Sequence, residues 1–318
     1  MKIRDDAFKY YFYFIQERMN IFWKRYNGTF AALTTDPILA NYKFTNVYRA
    51  QDRVSQFLIK EVIYKNNQEH DEIDVLFRIL LFKVFNNINT WNYLEQKAGI
   101  INVAGFNVER LSYLLTERIQ DTSIFSAAYM LTGSHNKYKM LTSKHERWLA
   151  MIEQEILKEK RLERIVKAKS LDEVYNILRE CSFIGSFLAY QYAIDFNYSL
   201  VINFNENSFV KAGMGSIRGI RKCFTDMGNY SFEDCIKFTQ HNFYKFQDKY
   251  GYNEFKNLFG REPKLLDLQN CFCETDKYVR AKMPESQIGN KRIKQRFLSP
   301  KRQIDFFFPP KWGLNQYL

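Results

Sequence analysis

Helix-start signals recur along the 318-residue chain while strand signals are scarce, and that imbalance restricts it to a mainly α fold with few or no strands. Thr35-Asp36-Pro37 sets a capping side chain before a proline whose missing N–H costs nothing at the first helical position, so a helix is expected to open near 36. Capping-box spacing recurs at Ser143 with Glu146 and at Ser170 with Glu173, and Ser231 with Asp234 is a near variant. These starts predict helices over 143–168, 170–180 and 231–249. Residues 75–85 are apolar almost all round, as in a helix buried at a domain centre, and 107–119 repeat the helical period more amphipathically. Only 198–204 (YSLVINF) and 303–308 (QIDFFF) read as short strands, and neither hairpin spacing nor βαβ alternation accompanies them. No internal repeat and no Ser/Gly linker divides the chain, which reads as one helical domain over 1–318 with sub-lobes 1–165 and 166–290 and a basic C-terminal extension over 291–318. The charged run 158–169 is the best candidate seam, although on a helix such a run is also an ordinary solvated face.

Lys and Arg outnumber Asp and Glu by 47 to 35, giving +12, and such a field attracts a polyanion. Nucleic acid is the first partner to consider. Aromatic residues make up 17% of the chain, more than a core usually needs, so some rings are expected to face a ligand. The N-terminus has no apolar region followed by a cleavage site and no long apolar run exists, so a cytoplasmic protein without membrane contact is expected. The five cysteines are odd in number and lack a CxxC pair, which predicts reduced, mostly buried thiols. The four histidines show no ligand spacing, so neither a metal nor a cofactor is expected.

Several stretches can carry chemistry. In CSFIGSFLAYQ (181–191) a hairpin around Gly185 joins two predicted helices, and bare N–H groups at the second helix start favour a DNA phosphate. An ordinary helix-helix turn is the plain alternative. GMGSIRGI (213–220) repeats the loop-to-helix junction: Gly213 and Gly215 permit close backbone approach to a phosphate, with Arg218 beside them, or form a glycine turn before a basic surface helix. Asp195 shares a face with Gln191 on an otherwise apolar helix, where a carboxylate is costly unless paired or used; it is the first choice for a catalytic acid or base, with capping as the alternative. In YKFTNVYRAQDR (42–53), Asn46 and Arg49 can read a base edge or hold a phosphate, unless Arg49, Asp52 and Arg53 merely pair with one another. CFCETDKYVR (271–280) concentrates reactive groups: Lys277 or Cys273 as nucleophile, or Glu274 and Lys277 as an exposed ion pair. From 277 to 302 nine basic residues face one acidic residue, and the cluster containing Lys291, Arg292 and Lys294 suits a phosphate backbone.

FYFIQERMNIFWKR (12–25), TTDPILANYKFTNVYRAQDRVSQFLI (34–59), FRILLFKVFN (77–86), FIGSFLAYQYAIDFNYS (183–199), GMGSIRGI (213–220), CETDKYVR (273–280) and FPPKW (308–312) occur in this order. Together they resemble the alpha-glutamyl/putrescinyl-thymine pyrophosphorylase family, the helical domain associated with 5-hydroxymethyl-deoxyuridine DNA kinases, found in phage and related pathways that hypermodify thymine. The resemblance implies an all-helical fold similar to helix-hairpin-helix DNA glycosylases. It implies base flipping and displacement, by an amino acid or polyamine, of the phosphate or pyrophosphate on an activated 5-hydroxymethyluracil in DNA. Gln191 and Asp195 then fall in the active-site region, Gly185 in the DNA-binding hairpin, Gly213, Gly215 and Arg218 in a second loop, and Glu274, Asp276, Lys277 and Tyr278 in a C-terminal motif. The hairpin departs from the usual Pro-Gly-Ile-Gly pattern, with Ser182 and Phe183 in place of the first proline and glycine. The expected partners are DNA carrying a modified pyrimidine, a small amine co-substrate and a hydroxymethyluracil DNA kinase. A glycosylase-like hydrolase of a modified base and a non-catalytic DNA-binding partner of that kinase are the alternatives.

Overall fold

The computed structural model describes residues 1–127, 131–286, 293, 295–297 and 304–318. Among them the chain is mainly helical. In order the helices are α1 (Asp5–Tyr26), α2 (Pro37–Asn41), α3 (Arg53–Phe57), α4 (Glu72–Phe85), α5 (Ile88–Ala98), α6 (Val108–Asp121) and α7 (Lys144–Met151). They continue with α8 (Arg161–Val166), α9 (Leu171–Arg179), α10 (Ser186–Phe196), α11 (Met214–Cys223), α12 (Phe232–His241), α13 (Phe243–Tyr250) and α14 (Leu265–Lys282). The described strands are β1 (Lys2–Ile3) and β2 (Phe224–Asp226), which pair antiparallel.

The capping signals act as anticipated. Asp36 accepts from the N–H groups of Ile38 and Leu39 ahead of Pro37, and the Ser143 and Ser231 boxes close reciprocally with Glu146 and Asp234. Beyond their caps, two of the helices depart from expectation. The helix predicted over 143–168 widens into a π-helical stretch at Ile152–Leu157 and ends where Lys160 turns left-handed at φ +53°, so α8 restarts separately. The 231–249 helix breaks at Asn242, which serves both as the C-cap of α12 and the N-cap of α13.

Among the described residues neither predicted strand forms. The Asn197 amide donates to Phe204 O at 3.0 Å and accepts from Phe204 N at 2.9 Å, closing the 198–204 segment on a side chain instead of a neighbouring strand. Asn315 does the same for Phe308, at 2.8 Å in both directions, and the described part of 303–308 is irregular.

The chain folds as two compact units: Met1–Arg53 with Glu206–Phe306 and Tyr317–Leu318, and Val54–Asn205 with Phe307–Gln316. The candidate seam at 158–169 and the division at 165/166 both lie inside the second unit. The charges of that run are paired locally, Arg164 with Glu180 at 2.7 Å and Arg161 with Glu159 at 2.7 Å.

In the first unit α1 and α11 pack on α14 around an aromatic core. Phe8, Tyr11, Phe12 and Phe14 are fully buried, and Tyr11 stacks on Phe272 with centroids 4.3 Å apart. The aromatic surplus therefore fills the core to a large extent. Gly215 and Gly219 on α11 face α14 directly: a Cβ on Gly215 would meet the Cys273 Sγ, and one on Gly219 would run into the Phe272 backbone, 2.7 Å from its carbonyl carbon. In the second unit α10 packs on α9 and α4, and α4 is buried over Val75–Phe85.

Candidate functional site

The hairpin of the second unit is built from α9, residues 180–185 and α10. Phe183 adopts φ +67°, the left-handed conformation that a glycine takes freely, so the residue substituted into the Pro-Gly-Ile-Gly pattern keeps a glycine-type backbone. For a residue with a Cβ that conformation costs about 1–2 kcal/mol. Burial of the ring against Trp148 and Tyr138 offsets it, since a fully buried phenylalanine contributes about 1.5–3 kcal/mol. Glu155 fastens the preceding residue by accepting from Ser182 N and Ser182 Oγ, both at 2.7 Å. Burial alone would raise the Glu155 carboxyl, but the Ser182 N–H, the Tyr138 and Ser182 hydroxyls and the Lys137 ammonium outweigh it and hold it at about 2. Gly185 caps α10 with no side-chain acceptor and is exposed, and the side-chain atom nearest the place where its Cβ would stand is Arg179 Nη1, 3.9 Å away.

Further along α10, Gln191 is buried and Asp195 has no exposed surface. The Lys83 ammonium, itself buried on α4, lies 3.3 Å from Asp195 Oδ2 and donates to the Asn86 amide oxygen at 2.7 Å. Asp195 is thus enclosed and not solvent-facing: with Lys83 it ties α10 to α4, and removing either partner would leave a charge stranded in a low-dielectric interior.

In the first unit a belt of polar groups runs from the 45–53 loop along α14. Arg18 donates from Nε to Thr45 O at 3.1 Å and from Nη2 to the Asn46 amide oxygen at 3.0 Å. Asn46 in turn donates from N and Nδ2 to Asp52 Oδ1 at 2.9 and 3.1 Å, and from Nδ2 to Gln51 O. Both ends of the Asn46 amide are therefore engaged within the chain, so reading a base edge would require it to exchange these partners. Arg49 is buried and its N–H donates to Asp267 Oδ1. Asp52 is partly exposed; burial of its carboxyl and the nearby Glu274 charge raise it to about 6, although the Asn46 N–H, Arg18 and Arg49 oppose the rise. The Gln51 side chain, wholly buried, has no hydrogen-bond partner for its amide nitrogen or oxygen among the described residues.

Glu274 continues the belt. Its Oε2 accepts from Thr45 N at 3.1 Å and its Oε1 lies 2.6 Å from Lys277 Nζ, so this pair is a half-buried junction between loop and helix and not a loose surface pair. Two residues on, Asp276 is shared by three cations: Lys222 Nζ at 2.9 Å, Arg218 Nε at 3.1 Å and Arg280 Nη2 at 3.5 Å. Tyr278 of the same motif donates to Asp36 Oδ2 at 2.6 Å. Gly213 caps α11, and Gly215 belongs to the close contact with Cys273 already described, which gives it a packing reason independent of any ligand. All five cysteines are free, four of them buried, and burial pushes the Cys273 thiol up to about 12, which keeps it protonated at neutral pH.

The structure thus brings Asn46, Arg49, Arg218, Glu274 and Lys277 into one unit and Gly185, Gln191 and Asp195 into the other. Lys291, Arg292 and Lys294 lie outside the described residues. Sequence reasoning missed Arg18 and Lys83 and treated Asp52 only as an ion-pair partner. A cation inside an apolar helix run, as at Lys83 within 75–85, was the available signal for one of them.

Residues 5–288 match the family described as "5-hmdU DNA kinase, helical domain". The chain belongs to this family. A relative described as 5-hmdU DNA kinase, from Bacillus phage SP10, is 26% identical over 285 residues, covering 84% of this chain and 44% of the relative. The chain accordingly spans less than half the length of that curated relative. No solved structure matches it. The family assignment agrees with the resemblance carried by the seven ordered motifs, and no described helix is long and apolar enough to cross a membrane.

Proposed function

We propose that this member of the 5-hmdU DNA kinase helical-domain family acts in hydroxymethyluracil modification of DNA as a base-hypermodification transferase. An amine nitrogen bonds to the 5-methylene carbon of an activated 5-hydroxymethyluracil. The C–O bond to the phosphate or pyrophosphate breaks with its electron pair on oxygen, and the ammonium proton passes to a carboxylate. The observation that supports this reading best is the polar belt of the first unit. There the Asp52 carboxyl, raised to about 6 mainly by burial, is joined through Asn46 and Thr45 to the Glu274–Lys277 pair, and Asp276 with its cations stands two residues further along α14.

Asp52 has the chemistry of the proton acceptor, since a base titrating close to the working pH is the most effective. Arg218 and Lys277, both near the Cys273 thiol, have that of the leaving-group cations. The reading keeps Asp195 and Gln191 as candidates at the resemblance-derived active-site region and Gly185 in a DNA-phosphate hairpin, with base flipping to bring the 5-methylene out of the stack. A 5-hmdU DNA kinase activity, the one named for the phage relative, would supply the phosphorylated base.

The test incubates the full chain with DNA containing 5-phosphomethyl-uracil and a mixture of amino acids and polyamines, followed by mass analysis of the nucleosides. An amine adduct is expected with the unaltered protein and roughly a hundredfold less with Asp52→Asn. Abasic sites in place of an adduct would convert the reading to a glycosylase. DNA binding without either product would leave a recruiting module.

A further inference from the structure

Asp276 is 1% exposed at its side chain, Lys222 0% and Arg280 5%, while Arg218 retains 25%. Three cations share one carboxylate at a place largely removed from water, where Coulomb terms are screened weakly and uncompensated charge is costly. Burial lowers the Lys222 ammonium, and Arg280 and Arg218 press in the same direction, while the Asp276 carboxylate opposes them. The residual charge of the cluster is about +2 when Lys222 is protonated.

Its geometry also has a direction. Of the Arg218 guanidinium only Nε reaches Asp276 Oδ2, which also faces Arg280 Nη2; no protein partner engages either Arg218 Nη among the described residues, so in this partly exposed side chain the guanidinium fork is left for a ligand. Such a fork matches two oxygens of a phosphoryl group. Lys222 and Arg280 are held behind it by Asp276 and its carbonyl: Lys222 Nζ donates to Asp276 O at 3.3 Å and Arg280 Nε at 3.2 Å. Lys277, on the Glu274 side, is the next partly exposed cation along α14.

We infer that the Arg218–Lys222–Arg280 cluster around Asp276 is a binding site for a phosphomonoester dianion or the more highly charged pyrophosphate, with Arg218 as the contacting residue and Lys222 and Arg280 as positioning charges. This rests on the proposed transferase reading only for the identity of its natural ligand, the group leaving the activated base. A dianion matches the excess charge. A backbone phosphodiester carries one negative charge and would leave the cluster half compensated, so the site is expected to discriminate between the two.

The test needs neither DNA nor turnover, so its failure is separable from failure of the transferase. Calorimetric titration of the full chain with inorganic phosphate, pyrophosphate and dimethyl phosphate reads the site directly. Pyrophosphate and phosphate should bind, with dimethyl phosphate at least tenfold weaker, and Arg218→Gln should weaken pyrophosphate at least tenfold while leaving the thermal midpoint close to the unaltered value. Titration followed through the Arg218 side-chain nitrogen resonances of the unaltered protein gives a readout that does not depend on any variant folding. Equal binding of the diester would make this a DNA-backbone contact. Pyrophosphate affinity indifferent to Arg218→Gln, or unmoved Arg218 resonances, would overturn the assignment.

Discussion

Asp52 is where local chemistry has the clearest global consequence. Its carboxyl is raised to about 6 from an ordinary 3.8, first by burial and then by Glu274. The folded chain thus binds a proton more tightly than the unfolded one. Between roughly pH 4 and pH 6 the native state carries more protons, so this group's contribution to stability falls as pH rises through that window, and its penalty is fully present above it. Asp267, raised to about 6 mainly by burial, acts with the same sign. Asp52→Asn keeps an oxygen that can accept from Asn46 and removes the titration. The gain in thermal midpoint on acidifying from about pH 7.5 to about pH 5.5 should therefore be smaller in the variant, by the equivalent of roughly half a kcal/mol, less than the full shift implies over that window because the residue is partly exposed. Superimposable pH profiles of the two proteins, followed by circular dichroism, would remove Asp52 from the set of groups that titrate near neutrality.

Among the elements, the contact of α11 with α14 does most to position the polar belt, because it sets Arg218 and Lys222 against Asp276. Its closeness depends on two glycines that behave differently. A methyl on Gly219 meets the Phe272 backbone, which no side-chain change can relieve, so the helices must part. Gly219→Ala should cost about 2–3 kcal/mol in urea unfolding, in the range of overpacked cores. A methyl on Gly215 meets only the Cys273 sulfur and its Cβ at 3.3 Å, so Cys273→Ala should recover most of the loss from Gly215→Ala. Additive costs for 215 and 273, or a recovery at 219 from the same Cys273→Ala change, would mean that the helices are not apposed in this way. The glycines themselves were legible in the sequence, but their spacing suited a phosphate loop as well as a helix contact, and only the partner helix decides between them. Residues 198–204 and 303–308 show the converse. Their alternation is strand-like, yet Asn197 and Asn315 each supply both hydrogen bonds that a neighbouring strand would have given, and a single side-chain amide does that without leaving a periodic trace.

At the scale of the whole molecule, caps and apolar periodicity reveal a mainly helical chain because those signals are local. The two units were not legible, because each is assembled from stretches far apart in sequence and no linker composition marks the crossings near 53, 205 and 306. Charge is the property that belongs to the chain as a whole: 47 basic against 35 acidic residues make any DNA association chiefly electrostatic. Lys277 is already paired with Glu274, so it should contribute little to counterion release from DNA. The sequence from 277 to 302, which holds Lys291, Arg292 and Lys294, has nine basic residues to one acidic, a net charge that suits a phosphate backbone, so it is expected to carry a larger share of the phosphate contacts. Affinity for unmodified duplex, measured by fluorescence anisotropy, is thus expected to fall by about a thousandfold between roughly 50 and 200 mM salt if some six phosphates are engaged. Changing Lys291, Arg292 and Lys294 together to alanine should lower the salt slope by about two to three, whereas Arg218→Gln should leave it nearly unchanged, since that guanidinium is assigned to the leaving phosphate and not to the backbone. A slope that drops by about one with Arg218→Gln and stays fixed in the triple variant would reverse the two assignments, making α11 the DNA-tracking surface and the basic run a bystander.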